Sequence, residues 1–452
     1  MYQTLPPAQP PHGNASEGAP DAPLPPVSER VFLLLQGPHG PFFDRLGRLL
    51  RDAGATVWRC GFNAGDAYFW SDPSHFLSHE GSDADWPDHL ARILSEKGVT
   101  DIALYGDVRP IHAVARAQAA ERGIRVHVFE EGYLRPYWIT YERGGSNGNS
   151  ALMQIPLAQM RAALRDTGVE MRRPPAHWGD MRHHKFYGAF YHFLILTRNA
   201  RYRAYRGHRA IPVIQEFRLN LRRLVLSPVH AVQRHRQWRR FIAAGWPYSL
   251  VLMQLEHDSN FLGHSPYSRN SEVVDQIVAE FAGAAPRHHH LVFKAHPLED
   301  GRAGNRAAIA AAAARHGIAD RVHYFRGGKL AEALAQARSV VTVNSTAAQQ
   351  ALWRGIPVKP LGRAIYEKPG IVSDQTLADF LSDPQAPDQA QYRTLRDYLL
   401  QTSQVPGGFY SERSRSHALR LVSDMILAPD DPYRALSSGH VAHRQQMTDR
   451  GD

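Results

Sequence analysis

The sequence predicts an α/β protein of two doubly wound, Rossmann-like units that face each other across a cleft, with a basic helical insertion between them. Two observations carry this prediction. Short apolar runs such as VFLLL (31–35) alternate with amphipathic segments, which is typical of strands buried on both faces of a parallel sheet. The alternation stops near residue 150 and resumes after Trp246, so there are two such units.

The predicted elements follow one another in a regular order. In the first unit, VFLLL, TVWRCGF, DIALYG and RVHVFE, the last ending at Glu130, are predicted strands. FFDRLGRLLRDAG, DHLARILSEKG and AVARAQAAERG are predicted helices, each ending at a glycine. In the second unit, YSLVLMQLE, HLVFKAHP, VHYFRG, SVVTVNS and PVKPLG are predicted strands, and helical segments separate them.

Composition sets the boundaries of the segments. We expect a disordered arm over 1–28, the first unit over 29–150, the basic insertion over 151–240, the second unit over 241–374, helices that pack back across both units over 375–429, and a flexible tail over 430–452. The one cysteine, Cys60, excludes an internal disulfide framework. No apolar run approaches the roughly 18 residues of a spanning helix, and the N-terminus lacks a secretory pattern, so we expect a soluble cytoplasmic protein.

Ligands of doubly wound sheets bind beyond the carboxyl ends of strands, so the residues that follow each strand are candidates. Gly37, His39 and Gly40 follow the first strand, where glycines would let backbone amides approach a ligand or simply form a tight turn. The turn is not GxGxxG, so a dinucleotide site is unsupported. Asn63 and Asp66 follow the second strand, and they would either hold sugar hydroxyls or form an Asx-turn.

Two adjacent carboxylates, Glu130 and Glu131, follow the fourth strand in VFEEGYLRP. One member of a close carboxylate pair tends to have a raised pKa, which suits general acid/base catalysis. The alternative is an N-cap and first-turn acid of a following helix, with Arg135 neutralising the charges. Spacing alone does not separate these interpretations.

Two motifs of the second unit also follow strands. Lys294 and His296 in KAHP would bind a phosphate together, with Pro297 fixing the turn, or they would form a surface cation pair. Asn344 and Ser345 in NST open a helix, either as a simple cap or as part of an anion site. The HHH run at 288–290 has no spaced Cys, His or Asp partners, so we predict no metal site.

Positive charge is concentrated in the insertion. Residues 171–240 contain 16 Lys and Arg against two acidic residues, with aromatic residues between them, while the whole chain has a formal charge of +10. Such a segment suits an anionic membrane surface, where each Lys or Arg contributes about 1 kcal/mol. Aromatic side chains expected at headgroup level are Trp178, Tyr187, Phe190, Tyr191 and Phe193. A solvated face is the alternative, and nucleic acid is not expected because no RRM, KH or zinc-finger pattern is present.

Several of these blocks together resemble a known family. LLLQGPHGPFFDRLGRLLRDAGATVWRCGFNAGD, VFEEGYLRP, KAHP, and NST followed by LWRGIPVKPLGRAIYEKPG are similar to the capsule polysaccharide biosynthesis family of the KpsS/LipB type, over roughly residues 30 to 425. The resemblance implies a GT-B fold and a β-Kdo transferase. Such an enzyme would use CMP-Kdo to start the poly-Kdo linker of the capsule on a phosphatidylglycerol-type lipid.

The resemblance also assigns roles to residues. Glu131, followed by Gly132, corresponds to the catalytic carboxylate in the acceptor-side unit, although many relatives have Asp there. The pair His296–Pro297 and the pair Ser345–Thr346 correspond to the motifs that hold CMP in the second unit. No cofactor or metal is implied, because Lys294, His296 and the helix at Ser345 would meet the phosphate charge.

The implied chemistry needs further groups. Arg135 or Arg363 would pair with the Kdo carboxylate. Retention of the β-configuration by double displacement requires a nucleophile and usually a second acid/base, for which Glu130 and Asp258 are candidates, with Gln254 also lining the site. The implied location is the cytoplasmic face of the inner membrane, alongside other capsule assembly proteins. A non-catalytic export component on the same scaffold is the alternative function, and the intact acidic, HP and ST motifs favour catalysis.

Overall fold

A computed structural model describes residues 25–165, 181–205 and 235–439, which form two sheets. The strands of the first sheet are β1 (Val31–Leu34), β2 (Thr56–Gly61), β3 (Phe76–Ser78), β4 (Asp101–Tyr105), β5 (Arg125–Glu131), β6 (Trp138–Arg143) and β12 (Gln404–Pro406). The strands of the second sheet are β7 (Tyr248–Leu252), β8 (His290–Lys294), β9 (Val322–Phe325), β10 (Ala337–Thr342) and β11 (Val358–Pro360).

Helices flank both sheets. The first unit contains α1 (Phe42–Asp52), α2 (Ala64–Tyr68), α3 (Trp86–Glu96) and α4 (Pro110–Arg122). The connecting segment contains α5 (Leu157–Arg165), α6 (Met181–Arg198) and α7, which is helical over 235–243. The second unit contains α8 (Ser259–Gly263), α9 (Asn270–Ala284), α10 (Asn305–Arg315), α11 (Leu330–Leu334) and α12 (Gln349–Leu352). The C-terminal segment contains α13 (Leu377–Ser382), α14 (Gln389–Gln401), α15 (Glu412–Leu427) and α16 (Pro432–Ser437).

Both sheets have the strand order of a Rossmann fold. In the first, β3-β2-β1-β4-β5 are parallel, and β6 and then β12 extend the sheet through antiparallel pairs. In the second, all five strands are parallel in the order β9-β8-β7-β10-β11. The prediction of two doubly wound units is therefore confirmed. The strand order reverses between β1 and β4 and between β7 and β10, where ligands of such sheets bind.

The sequence pattern missed three strands and one strand end. β3, β6 and β12 lie towards the sheet margins, and β3 and β12 have only three residues each. Glu131 belongs to β5 rather than following it, because its backbone pairs with Ile139 of β6. No helix follows Glu131, so the alternative in which the two glutamates cap a helix is wrong.

The C-terminal segment contacts both units. α13 packs on α9 of the second unit, while β12 joins the first sheet and α15 packs on α1. The tail predicted to be flexible from residue 430 instead begins with α16, whose buried Tyr433 donates a hydrogen bond to the carboxylate of Glu142. Most of the predicted arm, parts of the basic insertion and the end of the tail lie outside the described residues.

A buried ionic cluster ties α15 to the first sheet. Asp101, at the start of β4, accepts hydrogen bonds from Arg30 (2.6 and 3.1 Å), Arg125 (2.9 and 3.2 Å) and His127 Nε2 (2.9 Å). Arg30 also donates to the carbonyls of Ile426 and Leu427 at the end of α15. Burial alone would raise the pKa of Asp101, but the hydrogen bonds outweigh it and hold that pKa well below its usual range.

We predict that Asp101→Asn lowers the free energy of unfolding by about 3–5 kcal/mol at neutral pH, because it leaves the buried guanidinium of Arg30 uncompensated. Urea denaturation measures the loss. As a matched control, Asp275→Asn removes the partner of Arg315 in a pair that is more than half exposed, and it should cost below about 1 kcal/mol.

The same prediction has a pH dependence of defined sign. The folded-state pKa of Asp101 lies below its ordinary value of 3.8, so its stabilisation is present above that value and is lost as the pH falls through and below it. The difference between wild type and Asp101→Asn should therefore shrink in acid. A difference that is the same at all pH values, or a loss no larger than that of Asp275→Asn, contradicts the assignment.

Candidate active site

Residues that follow strands of the two sheets meet in space. At Gly148 an added Cβ would lie 2.5 Å from Nδ1 of His264, and at Gly263 it would lie 2.9 Å from the side chain of Val108. The side chain of Gln349, in α12, donates a hydrogen bond of 2.7 Å to the backbone carbonyl of Tyr133. The carboxyl ends of the two sheets therefore close on each other, which forms the predicted cleft.

Glu131 is held by two tyrosines at the end of β5. Its Oε1 accepts hydrogen bonds from the hydroxyls of Tyr105, the last residue of β4, at 3.1 Å and of Tyr410, which follows β12, at 3.2 Å. Burial, reinforced by the charge of Glu131, raises the pKa of both tyrosines well above the ordinary value. Both hydroxyls therefore keep their protons and fix the orientation of the carboxylate.

Glu130 has different surroundings, because successive side chains of a strand point to opposite faces. Its Oε1 accepts the Glu131 amide at 3.1 Å, and a Cβ at Gly106, where φ is +71°, would lie 3.2 Å from its Oε2. Burial raises the pKa of Glu130 to about 7; Arg109 opposes this shift, and Asp258 of the second unit adds to it. The expected raised pKa is thus present, but burial rather than the neighbouring glutamate is its main cause.

Arg109 was missed in the sequence, although it follows a predicted strand. It precedes α4, donates to Oε1 of Gln36 at 3.3 Å, and its guanidinium carbon lies 5.1 Å from the ring centre of Tyr105. Gln36 follows β1 and Arg109 follows β4, so this contact spans the point where the strand order reverses. The strand-end rule, applied to DIALYGDVR, would have found this cation beside Glu130.

The turn after β1 packs against α6. Gly40, at φ +113°, would place a Cβ 3.1 Å from the ring of Tyr187, and the ring of His39 stacks on that of Tyr191 with centres 4.4 Å apart. At Gly37 a Cβ would lie 2.6 Å from the ring of Phe43. These glycines are explained by close packing, and their role in lining a ligand stays a prediction.

Asn63 and Asp66 anchor the same helix. Asn63 caps α2 by accepting from the amides of Gly65 and Asp66, which is the Asx interpretation, and its Nδ2 donates to the Tyr191 hydroxyl at 2.8 Å. That hydroxyl donates to Asp66 at 3.0 Å, and Asp66 also pairs with Arg59. Both residues are buried, so the contacts they make are structural, and sugar binding by them stays a prediction.

Gln254 and Asn344 bridge the reversal point of the second sheet. The Gln254 amide donates to Oδ1 of Asn344 at 2.7 Å, and the Asn344 backbone amide donates to Oε1 of Gln254 at 3.0 Å. Nδ2 of Asn344 donates to the carbonyls of Asn260 and His264 at 3.0 and 3.3 Å. Both side chains are buried, and they fix the short helix α8 that Asp258 caps.

The NST motif places partly exposed hydroxyls at the same edge. Ser345 caps a helical turn by accepting from the Ala347 amide at 3.3 Å, and its carbonyl accepts from the Tyr366 hydroxyl at 2.8 Å. Thr346 is the first residue of this turn, which leads directly into α12. The predicted cap is present, and anion binding by these residues stays a prediction.

The two cations of KAHP have different contacts. Lys294 is buried, and its Nζ donates to the carbonyls of Gly327 and Gly328 at 2.6 and 3.0 Å. His296 is partly exposed, and its Nδ1 accepts from the Leu298 amide at 3.1 Å, which places the proton of the neutral ring on Nε2. Pro297 is exposed beside it. A phosphate clamp formed by both cations stays a prediction, with His296 the more accessible of the two.

Gly132 and two predicted arginines border the cleft. At Gly132 a Cβ would lie 2.3 Å from the Trp138 carbonyl, so the chain admits only glycine after the two glutamates. The exposed Arg135 donates to the Gly132 carbonyl at 3.2 Å. Arg363 is also exposed. The burial of His264 lowers the pKa of its ring to about 4; the positive charge of Arg363 adds to this shift, and the negative charge of Asp107 opposes it.

Two searches of the described residues found nothing. Among residues 25–165, 181–205 and 235–439, no group of three or more His, Cys, Asp or Glu side chains is arranged to hold a metal ion. The helices in these ranges include none that is both long and apolar enough to span a bilayer.

Comparison with known proteins identifies the family. The family model described as capsule polysaccharide biosynthesis protein matches residues 100–410. The chain belongs to this family. It is 29% identical over 385 residues to the capsule polysaccharide export protein KpsS of Escherichia coli, covering 85% of this chain and 98% of that protein.

The family member LipB and one solved structure extend the comparison. The capsule polysaccharide modification protein LipB of Neisseria meningitidis serogroup A is 31% identical over 391 residues, covering 85% of this chain and 93% of LipB. The β-Kdo 2,7 transferase of Thermosulfurimonas dismutans KpsC aligns with a TM-score of 0.42 and 13% identity, covering 87% of this chain and 100% of that one. The predicted family is confirmed.

We predict that Gly148→Ala loosens the contact between the two units, because its Cβ would overlap His264. Thermal unfolding should show a loss of about 1–3 kcal/mol. The pKa of His264, which burial lowers to about 4, should rise towards 6.5 in an NMR titration as the ring becomes hydrated. Gly283→Ala is the control, because a Cβ at this position in α9 meets open space. It should neither lower the stability nor change the pKa of His264. An unchanged His264 titration in Gly148→Ala would refute the close contact.

Proposed function

We propose that this capsule polysaccharide biosynthesis protein is a glycosyltransferase that transfers Kdo from CMP-Kdo to a phosphatidylglycerol-type lipid and so starts the poly-Kdo linker. The observation that carries the proposal is the buried carboxylate of Glu130 at the end of β5, whose pKa is raised by burial and further by the negative charge of Asp258 from the second unit. The resemblance of these motifs to CMP-sugar transferases supports the choice of donor.

The second unit would hold CMP. Nε2 of His296 and the hydroxyls of Ser345 and Thr346 would donate to the phosphate and stabilise the charge that develops on the leaving group. Arg109 joins Arg135 and Arg363 as a candidate partner of the Kdo carboxylate, since its charge acts on Glu130. Lys294 would contribute mainly by fixing the loop at Gly327.

The carboxylates divide between the two sides of β5. We assign Asp258 as the nucleophile, because a nucleophile must be ionised and Glu130, with a pKa near 7, is about half protonated at neutral pH. Attack by Asp258 on the anomeric carbon expels CMP. The acceptor hydroxyl then attacks the same carbon, loses its proton to Glu131 and releases Asp258, so that two inversions give retention.

A second candidate function is suggested by the name of the E. coli relative, an export protein. In that case the cleft would bind a sugar nucleotide or a lipid without turnover. Incubation of the purified protein with CMP-Kdo and a short-chain phosphatidylglycerol, followed by mass spectrometry, separates the two. A lipid product that is heavier by one Kdo supports transfer. If the protein binds CMP but forms no product with any anionic glycerolipid, the export role is favoured.

We predict that Glu131→Gln abolishes Kdo transfer and leaves CMP affinity within about twofold of wild type, because the residue lies in the first unit and acts on the acceptor. Transfer is measured by mass spectrometry and CMP binding by calorimetry. Glu121→Gln changes a largely exposed carboxylate of α4 in the same way and should retain full transfer. Full activity of Glu131→Gln would show that the role assigned to this residue is wrong.

We also predict that the KM for CMP-Kdo rises about 3- to 10-fold between about pH 6 and pH 8. The pKa of Glu130 is about 7, so over this range it acquires a negative charge that faces an anionic donor. In Glu130→Gln this position stays neutral, and the rise should be absent. Steady-state kinetics test the prediction, with Glu121→Gln as a control that keeps the wild-type profile. Equal pH dependence in wild type and Glu130→Gln would place Glu130 away from the donor.

A further inference from the structure

The outward face of α6 carries a contiguous aromatic patch. Phe186 and Phe193 are 62% and 54% exposed, and Phe190 stacks between them with ring centres 6.1 and 6.4 Å away. Tyr68 of α2, 54% exposed, packs on Phe190 at 5.2 Å, and Leu196, 45% exposed, lies one turn further along. Single exposed apolar residues are ordinary, but a contiguous patch of this kind marks an interaction surface.

The opposite face of α6 fixes how the patch is presented. Tyr191 and Leu194 are buried, and the Tyr191 hydroxyl is held by Gln36, Asn63 and Asp66. The expectation that Tyr191 lies at headgroup level is therefore wrong, because this ring is buried against the first unit. Tyr187 is partly exposed beside Gly40, so the expectation for it stays a prediction, and Trp178 lies outside the described residues. A helix that is apolar on both faces needs a second partner for the face that points outward.

Charge around the patch indicates what that partner is. Residues 181–205 contain five Lys and Arg and no Asp or Glu, and Arg182 and Lys185 are exposed on the same helix as the aromatic residues. Aromatic rings flanked by basic side chains, with no acidic residue between them, fit the interface of an anionic bilayer. There the rings reach the acyl boundary and the cations meet the headgroups.

The same helix contacts the group that orients Glu131. The ring of His184, on α6, stacks on that of Tyr410 with centres 4.3 Å apart and an angle of 9°. The Tyr410 hydroxyl in turn donates to Glu131. We propose that the aromatic face of α6, formed by Phe186, Phe190, Phe193 and Leu196 with Tyr68, docks the protein on an anionic lipid bilayer and brings lipid headgroups to Glu131. The arrival of an acceptor there rests on the proposed function; the docking itself does not.

Vesicle binding tests the proposal without requiring turnover. The full-length protein is sedimented with vesicles of phosphatidylcholine alone or with one-third phosphatidylglycerol, and partition coefficients are compared. The double variant Phe186→Ser/Phe193→Ser should bind the anionic vesicles at least about 10-fold more weakly, because two rings no longer enter the interface. Leu49→Ser, on α1 and also exposed, should bind like wild type. Arg182→Gln/Lys185→Gln should weaken binding most at low salt.

The outcomes show whether the aromatic face of α6 docks on a bilayer or on a second copy of the chain. Unchanged vesicle binding by the double serine variant, or wild-type binding that does not depend on phosphatidylglycerol, overturns the proposal. A change in oligomeric state by light scattering in that variant, without vesicle binding by wild type, would assign the face to a second copy of the chain and likewise overturn it. Transfer to short-chain phosphatidylglycerol with no vesicle binding would refute docking but not the enzyme. Vesicle binding without transfer would refute the enzyme but not docking.

Discussion

The structure depends on the closure of two parallel sheets on each other at their carboxyl ends. Small residues permit this approach, with Gly148 against His264 and Gly263 against Val108. A buried hydrogen bond then holds it, since the side chain of Gln349 donates to the carbonyl of Tyr133. Because loops that follow parallel strands of both sheets reach this closure, polar groups from distant parts of the chain meet there.

The return of the chain to the first unit completes the site. After α14, β12 pairs with β6, and Tyr410 thereby reaches Glu131 across 279 residues of sequence. α15 is then fixed on the first sheet by Arg30, which Asp101 neutralises. The segment is therefore part of the first unit as well as a connection to the second, and the orientation of the carboxylate depends on it.

Features that leave a local pattern in the sequence could be predicted, and features that arise only from contacts between distant segments could not. β1, β7 and β8 are buried on both faces, so continuous apolar runs in the sequence indicate them, whereas β3 and β12 have only three residues each and leave no such run. Asn63 and Asp66 are polar residues at a strand end, but the sequence does not show that the Tyr191 hydroxyl of α6 forms hydrogen bonds with both side chains. Arg109 was within reach of the strand-end rule. Tyr410 had no local signal, because its contact with Glu131 exists only after β12 has joined the sheet.

Two like charges stand side by side in VFEEGYLRP because the strand separates them. Glu131 points towards Tyr105, Tyr410 and, through the stacked ring of His184, α6. Glu130 points towards Gly106, and the charges of Arg109 and of Asp258 in the other unit act on it. Alternation along an extended strand thus supplies one carboxylate to each side of a single edge. In the function proposed above, one side would serve the lipid acceptor and the other side the anionic sugar nucleotide.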